Sequence, residues 1–210
     1  KKLDFPRGYQ IEGWGGLRMP SYGSAFNPND LNKYLGLKVG GYGNQLREDV
    51  KKFYGSVMGM SGRGESIARK ENYCEIDPTT VDEFGIPVLR FNYSWSDYER
   101  KQARHMHDTF EEIIENMGGI VLGDKPGADR DYGLLNPGRI IHEVGTTRMG
   151  SDPKKSVVNE FEQLHDADNV FIVDAGPFVS QADKNPTWTI MALSWRTSEY
   201  IIQELKKQNI

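Results

Sequence analysis

The 210-residue chain has a single cysteine, Cys74, so no internal disulfide can form. Set within Asn72–Ile76, it reads as a small strand residue rather than a redox group. Long apolar runs are missing too. Nothing approaches the roughly 18 consecutive residues of a membrane-spanning helix, and the start Lys1-Lys2-Leu3-Asp4 carries no signal-peptide core. Neither charge sign dominates: 26 basic and 30 acidic residues leave a net charge of −4. They are spread evenly, so the basic footprint of a nucleic-acid binder is absent. Four histidines offer no metal-ligand spacing. His105 and His107 stand two apart and cannot share a helix face, so both read as solvated helix residues and no metal site is expected. Glycine is plentiful at 23 residues. Yet Gly13-Trp14-Gly15-Gly16 and Gly40-Gly41-Tyr42-Gly43 neither follow a hydrophobic strand nor match the Gly-x-Gly-x-x-Gly fingerprint of dinucleotide binding.

What is present fits a chain of 23.8 kDa with room for one or two domains. Phe5–Glu12 reads as a short strand entering irregular chain. Asn27-Pro28-Asn29-Asp30 caps a brief helix around Leu31–Leu35, and Asn44 caps another from Gln45 to about Tyr54. Strand-like patterns follow at Ser56–Met60, Asn72–Ile76 and Val88–Tyr93, and they predict an antiparallel sheet with one wet face. Tyr98, Ala103, Met106, Phe110, Ile113, Ile114 and Met117 recur at helical spacing, predicting an amphipathic helix over Ser94–Met117 that Gly118-Gly119 ends. Ile120–Leu122 reads as a short strand and Asp124–Pro137 as a polar loop.

The last third is the most informative. His142-Glu143-Val144-Gly145-Thr146-Thr147-Arg148-Met149-Gly150 sets a histidine before a tight glycine turn, where backbone geometry fixes the imidazole's direction. Arg148 reads as structural, tying the loop to carbonyls or carboxylates. Val170–Val173 reads as a buried strand whose carboxyl end carries Asp174-Ala175, the usual place for ligand contact in an open α/β sheet. Asn185-Pro186-Thr187 then reads as the capped start of a mostly buried helix. Its free N–H groups and partial positive charge would face whatever lies ahead of it.

The order His-x-x-Gly-Thr-x-Arg-Met-Gly, then His-Asp-x-x-Asn-Val-Phe-x-x-Asp, then Asn-Pro-Thr-x-Thr-Ile resembles the C-terminal segment of the glucose-methanol-choline (GMC) flavin oxidoreductases. The likeness is strongest over Ile141–Tyr200. Within the family it resembles the branch of pyranose oxidases, gluconate dehydrogenase flavoproteins and related bacterial sugar dehydrogenases. Upstream, Asp77-Pro78 to Phe84-Gly85-Ile86-Pro87, with Phe91 and Tyr93, resembles the family's substrate-domain strand pair.

The resemblance implies an α+β fold. Residues 1–138 are expected to form an antiparallel-sheet substrate (cap) domain. Residues 139–210 are expected to supply the C-terminal strand and helix of an FAD-binding α/β domain, with the N-terminal FAD-binding segment lying outside these 210 residues. FAD is the implied cofactor, and an alcohol, sugar or polyol the implied substrate. An electron acceptor or redox subunit is the implied partner, with no nucleic acid. The resemblance is compatible with the bacterial periplasm, and the sequence itself assigns no compartment.

By the same resemblance His142 is the base that takes the hydroxyl proton, a task suited to histidine as the usual general base at neutral pH. Asn185 holds the substrate oxygen. Asp174 and Ala175 meet the ribityl and pyrophosphate part of FAD, while Pro186 and Thr187 lie against its pyrimidine end. Plainer readings stand beside these: a backbone-satisfied histidine, an ordinary helix cap at Asn185 and a turn-capping Asp174. Phe178 and Asp183-Lys184 replace the small Gly/Ser-rich turn of many relatives and put substrate identity in question. Trp14, Tyr22, Phe26, Arg90, Asn92 and Tyr93 could line a substrate pocket or serve packing and surface. A non-catalytic binding or assembly subunit, or an inactive fragment, is the alternative function.

Overall fold

A computed structural model describes residues 3–15 and 27–210. Tyr22 and Phe26 lie outside the described residues. The chain falls into two compact units: Lys1–Gly64 with Asp97–Leu134, and Glu65–Ser96 with Leu135–Ile210.

In the first unit, strand β1 (Tyr9–Gly15) pairs antiparallel with β2 (Met58–Gly64) in a register running from Tyr9–Gly64 to Gly15–Met58. Trp14, about half exposed, lays its ring on Gly59, so its role here is packing across the ladder. Helix α1 (Pro28–Leu35) starts as its sequence demands: the Asn27 side chain accepts from the Asn29 N–H, Pro28 opens the first turn, and Gly36 ends the helix at φ +62°. Helix α2 (Gly43–Phe53) begins at Tyr42 rather than at an Asn44 cap, and Tyr42 makes no side-chain capping bond. The buried Asp49 carboxylate of α2 instead accepts from the Gly40 N–H and the Gln45 amide.

Helix α3 (Asp97–Asn116) covers the β1–β2 pair and buries Glu99, Gln102, Ala103 and Met106. Gly62 and Gly64 allow the approach, because a methyl group at Gly64 would stand 1.7 Å from the Gln102 Oε1 and one at Gly62 would stand 2.4 Å from the Met106 sulfur. The helix ends at Gly118, at φ +74°. His105 and His107 are not solvated, contrary to the sequence reading. His105 Nδ1 hydrogen-bonds the Tyr9 hydroxyl at 2.7 Å, and His107 Nε2 lies 3.0 Å from the Tyr132 carbonyl. A helix packed on one side by β1 and on the other by the irregular turn Ala128–Gly133 leaves neither ring in open water. Ile120–Leu122 forms no strand.

In the second unit, β3 (Tyr73–Val81) and β4 (Pro87–Asn92) make a separate antiparallel hairpin. The expected sheet is thus two two-stranded sheets. Alternation places Glu75, Asp77, Arg90 and Asn92 together. Arg90 is clamped by Glu75, which also accepts from Asn92, with Asp77 4.0 Å away. Amides of Thr79 and Thr80 hold the Asp77 carboxyl down at about 2. Tyr93 pairs with the Ser66 hydroxyl and sets its ring edge-on to Trp95. These polar residues are therefore engaged with one another.

The rest of the unit is a platform of short bridges. Val158, fully buried, sits at its centre between Met149 and Leu164, and Gln163 bridges Phe171. The expected buried strand over Val170–Val173 reduces to that single bridge. Val170 and Val173 are each 41% exposed, although the Leu164 N–H donates to the Val170 carbonyl and the Ile172 N–H to the Glu162 carbonyl. Helix α4 (Thr187–Lys207) follows. It is not mostly buried: Thr197 and Glu204 are buried, whereas Trp188, Met191 and Trp195 are 88%, 66% and 72% exposed. Among the described residues no helix is long and apolar enough to cross a membrane.

Candidate active site

The histidine loop and the aspartate turn are one hydrogen-bonded structure. The Gly145 N–H donates to the Ala175 carbonyl at 3.3 Å, the Thr147 N–H to Gly176 at 3.2 Å, and the Met149 N–H to Pro177 at 2.9 Å. Two sequence features make this approach feasible. Gly145 adopts φ +84°, which costs glycine little, and it stands where a side chain would press on the Phe178 carbonyl. Gly176 lies beneath the threonines: a methyl group there would be 2.2 Å from the Thr147 hydroxyl oxygen and 3.3 Å from that of Thr146. Arg148 braces the loop as expected, donating from Nε and Nη2 to the Lys155 carbonyl at 3.1 and 2.5 Å.

His142 enters this loop at φ +85°, a left-handed conformation that is costly for a non-glycine residue and clusters at functional sites. The residue is half-buried, and its ring makes no hydrogen bond among the described residues. The imidazole is therefore not tied down by neighbouring backbone. Asp174 is exposed, and its Oδ1 accepts from the Gly176 N–H at 2.7 Å, closing a two-residue turn in front of the threonines. Ala175 is half-buried between them.

The chain from this turn to α4 folds Pro177 and Phe178 inward, so the bulky Phe178 serves as packing. Asp183 and Lys184 pair with each other at 2.6 Å, and the lysine holds the Asp183 carboxyl below the ordinary carboxylate range. Pro186 occupies the cap position of α4, and its carbonyl accepts from the Ile190 N–H at 3.0 Å. The helix therefore starts one residue later than the sequence reading placed it. Proline has no side-chain acceptor, and no side-chain capping bond forms there. Asn185 and Thr187 are exposed on either side of the buried Pro186.

Sequence reasoning missed three contributors. Thr147 Oγ1 is buried without a hydrogen-bond partner among the described residues; Gly176 forms the floor below it; and Glu162 is buried completely, with its backbone carbonyl accepting from Ile172. The Asp-Ala-Gly triplet hinted at a turn that would make Gly176 special. Nothing in the local pattern pointed to Glu162. Among the described residues no group of three or more His, Cys, Asp or Glu side chains could hold a metal ion.

Residues 68–194 match the family model of GMC oxidoreductases. That span runs from before β3 through the histidine loop and aspartate turn into the first turns of α4. The chain belongs to the GMC oxidoreductase family. It is 29% identical over 198 residues to 2-methyl-1,2-propanediol dehydrogenase of Mycolicibacterium austroafricanum, covering 94% of this chain and 34% of that protein. It is 30% identical over 169 residues to the gluconate 2-dehydrogenase flavoprotein of Pantoea cypripedii, covering 79% of this chain and 27% of the relative. It is 26% identical over 185 residues to the fructose dehydrogenase large subunit of Gluconobacter japonicus, covering 87% and 32%. The chain thus spans about a third of the length of the relatives it matches.

Proposed function

We propose that this chain supplies the substrate side and the proton-handling residues of an FAD-dependent enzyme that oxidises an alcohol group on a sugar or polyol. Residues 1–138 are assigned to substrate binding and residues 139–210 to the return into the FAD-binding domain, with the ADP-binding part contributed by polypeptide outside these 210 residues. The relatives' names, a diol dehydrogenase and two sugar-acid or sugar dehydrogenases, support this substrate class. An electron acceptor or a partner redox subunit completes the cycle.

The observation that carries the reading is the ladder joining the His142 loop to the Asp174 turn. It anchors the turn that follows a half-buried imidazole, which has no hydrogen-bond partner among the described residues, to a polar cradle. The residues fit a flavin nucleotide. Gly176 lets the Thr147 hydroxyl close on the turn, that hydroxyl has no hydrogen-bond partner among the described residues, and Asp174 presents a carboxylate suited to ribityl or ribose hydroxyls. Asp174 and Ala175 would hold this part, and Asn185, Pro186 and Thr187 the ring end, where the N–H groups of the α4 start favour negative charge.

When bound, FAD supplies a two-electron acceptor for the hydride that leaves the carbinol carbon. His142 takes the hydroxyl proton, and the left-handed backbone that aims its ring limits the directions in which it can do so. Asn185 donates its amide to the same oxygen, holding the C–H bond in line. Orientation of this kind supplies a large part of such rate enhancements. The test uses the full-length protein. Purified material should be yellow. His142→Ala should keep its flavin while slowing flavin reduction by substrate about 100-fold or more. Unchanged reduction kinetics would remove His142 from the role, and a colourless full-length protein would favour a non-catalytic binding subunit.

A further inference from the structure

Glu162 has no part in the chemistry above, yet it is the most completely buried charged-type side chain among the described residues, with no exposed surface. Its backbone is held at φ +62°. Two connections meet on it. Its backbone carbonyl accepts from the Ile172 N–H at 2.9 Å, fixing the segment that runs directly into Asp174. Its side-chain Oε2 lies 2.7 Å from the Thr197 hydroxyl, fixing α4, the helix whose start follows Asn185.

Counting protons identifies the donor. Thr197 Oγ1 lies 3.2 Å from the Phe161 carbonyl as well as 2.7 Å from Glu162, but a hydroxyl has one proton to give. If Glu162 were ionised, two acceptors would compete for that proton. The second carboxylate oxygen, Oε1, is buried with no hydrogen-bond partner among the described residues, which is a heavy cost for a charged group. If Glu162 carries its proton, every donor has one acceptor: the acid donates to Thr197, and Thr197 donates to Phe161.

We propose that Glu162 is a positioning residue: as a neutral acid it locks the Asp174 segment to helix α4, so that the two halves of the site hold their spacing. This rests on the reading that Asp174 and Asn185 flank the redox centre. Desolvation favours the same form, pushing the carboxyl above its ordinary value. The Thr197 hydrogen bond and Arg196 on α4 oppose that shift, while Asp174 on the turn adds to it. A group whose folded pKa is raised stabilises the fold below its unfolded pKa, about 4.3. That contribution is lost as pH rises through the folded value. The lock therefore weakens as pH rises above the ordinary carboxylate range.

Glu162→Gln in the full-length protein separates the cases, because the glutamine amide donates to Thr197 as the neutral acid does but cannot ionise. Melting temperature and the visible circular dichroism of the flavin are followed from about pH 4 to about pH 9. Variant and wild type should melt together at the acid end. The wild type should then fall several degrees below the variant as pH rises, with a matching change in its flavin dichroism that the variant lacks. Thr197→Ser should behave as wild type, whereas Thr197→Val should melt lower even at acid pH. Parallel melting curves and flavin spectra for Glu162→Gln and wild type overturn the proposal, as does a Glu162→Gln protein that fails to fold. A colourless preparation defeats the redox reading, while the melting curves still judge the lock. A yellow, alcohol-reducible protein with parallel curves defeats the lock alone.

Discussion

Helices α3 and α4 have nearly equal lengths, 20 and 21 residues, and opposite relations to their surroundings. α3 presents Ala103 and Met106 to a strand pair whose glycines admit them, and it buries the polar Glu99 and Gln102 among partners. α4 is richer in large apolar side chains, yet its two buried residues are Thr197 and Glu204, and its tryptophans face outward. Apolar content states how strongly a helix gains from cover; which surface provides that cover is decided by the partner. In this chain α4 is held by polar and aromatic contacts: the Glu162–Thr197 bond, an Arg196 bond to the Glu160 carbonyl, and Tyr200 stacked on Phe161 at 4.1 Å.

The contrast is sharpest for two methionines. Met106→Ala in α3 should cost about 2–5 kcal/mol of unfolding free energy, read by urea denaturation. Met191→Ala in α4, where the side chain is 66% exposed, should stay within about 0.5 kcal/mol. Equal losses would break the comparison, because they would mean that Met191 is covered in the protein being measured. A smaller effect should follow from Gln102→Ala. Its amide donates to the Gly8 and Arg7 carbonyls at 2.9 and 3.2 Å, and losing these bonds together with the packing of a side chain 3% exposed should cost about 1–3 kcal/mol.

The smallest effect is read by pH within the surroundings of α4 alone. Lys207 and Asn209 hold the Glu204 carboxyl of α4 below its usual range. A lowered folded value stabilises at neutral pH, and that contribution is lost as pH falls below the ordinary carboxylate value. Glu204→Gln should therefore leave acid stability unchanged and slightly reduce the gain between acid and neutral pH, as melting temperatures would show. This is the opposite slope to that expected at Glu162. Identical pH profiles for the two substitutions would remove the distinction.

The parts of the fold legible in sequence were those written locally. The Asn27-Pro28 start of α1 and the periodic run of α3 up to Gly118 each depend on residues within a few positions of one another. The segments around His142, Asp174 and Asn185 stood out through a resemblance carried by their order. The ladder from Gly145–Met149 to Ala175–Pro177 did not, because short pairings between distant irregular segments leave no periodicity. Glu162 was illegible for a related reason: a glutamate in a polar stretch becomes buried only because Thr197 arrives from 35 positions away. The Val170–Val173 run predicts a buried strand because β-branched residues signal strand and burial together, whereas here it pairs with 162–164 through one bridge and leaves Val170 and Val173 exposed.

Two of the four tryptophans, Trp188 and Trp195, lie outward on α4 at positions seven apart, so the helix carries its own optical label. Indole emission moves to shorter wavelength as water leaves the ring. Any surface that closes over α4 would announce itself in the intrinsic fluorescence, with no dye, tag or substitution required.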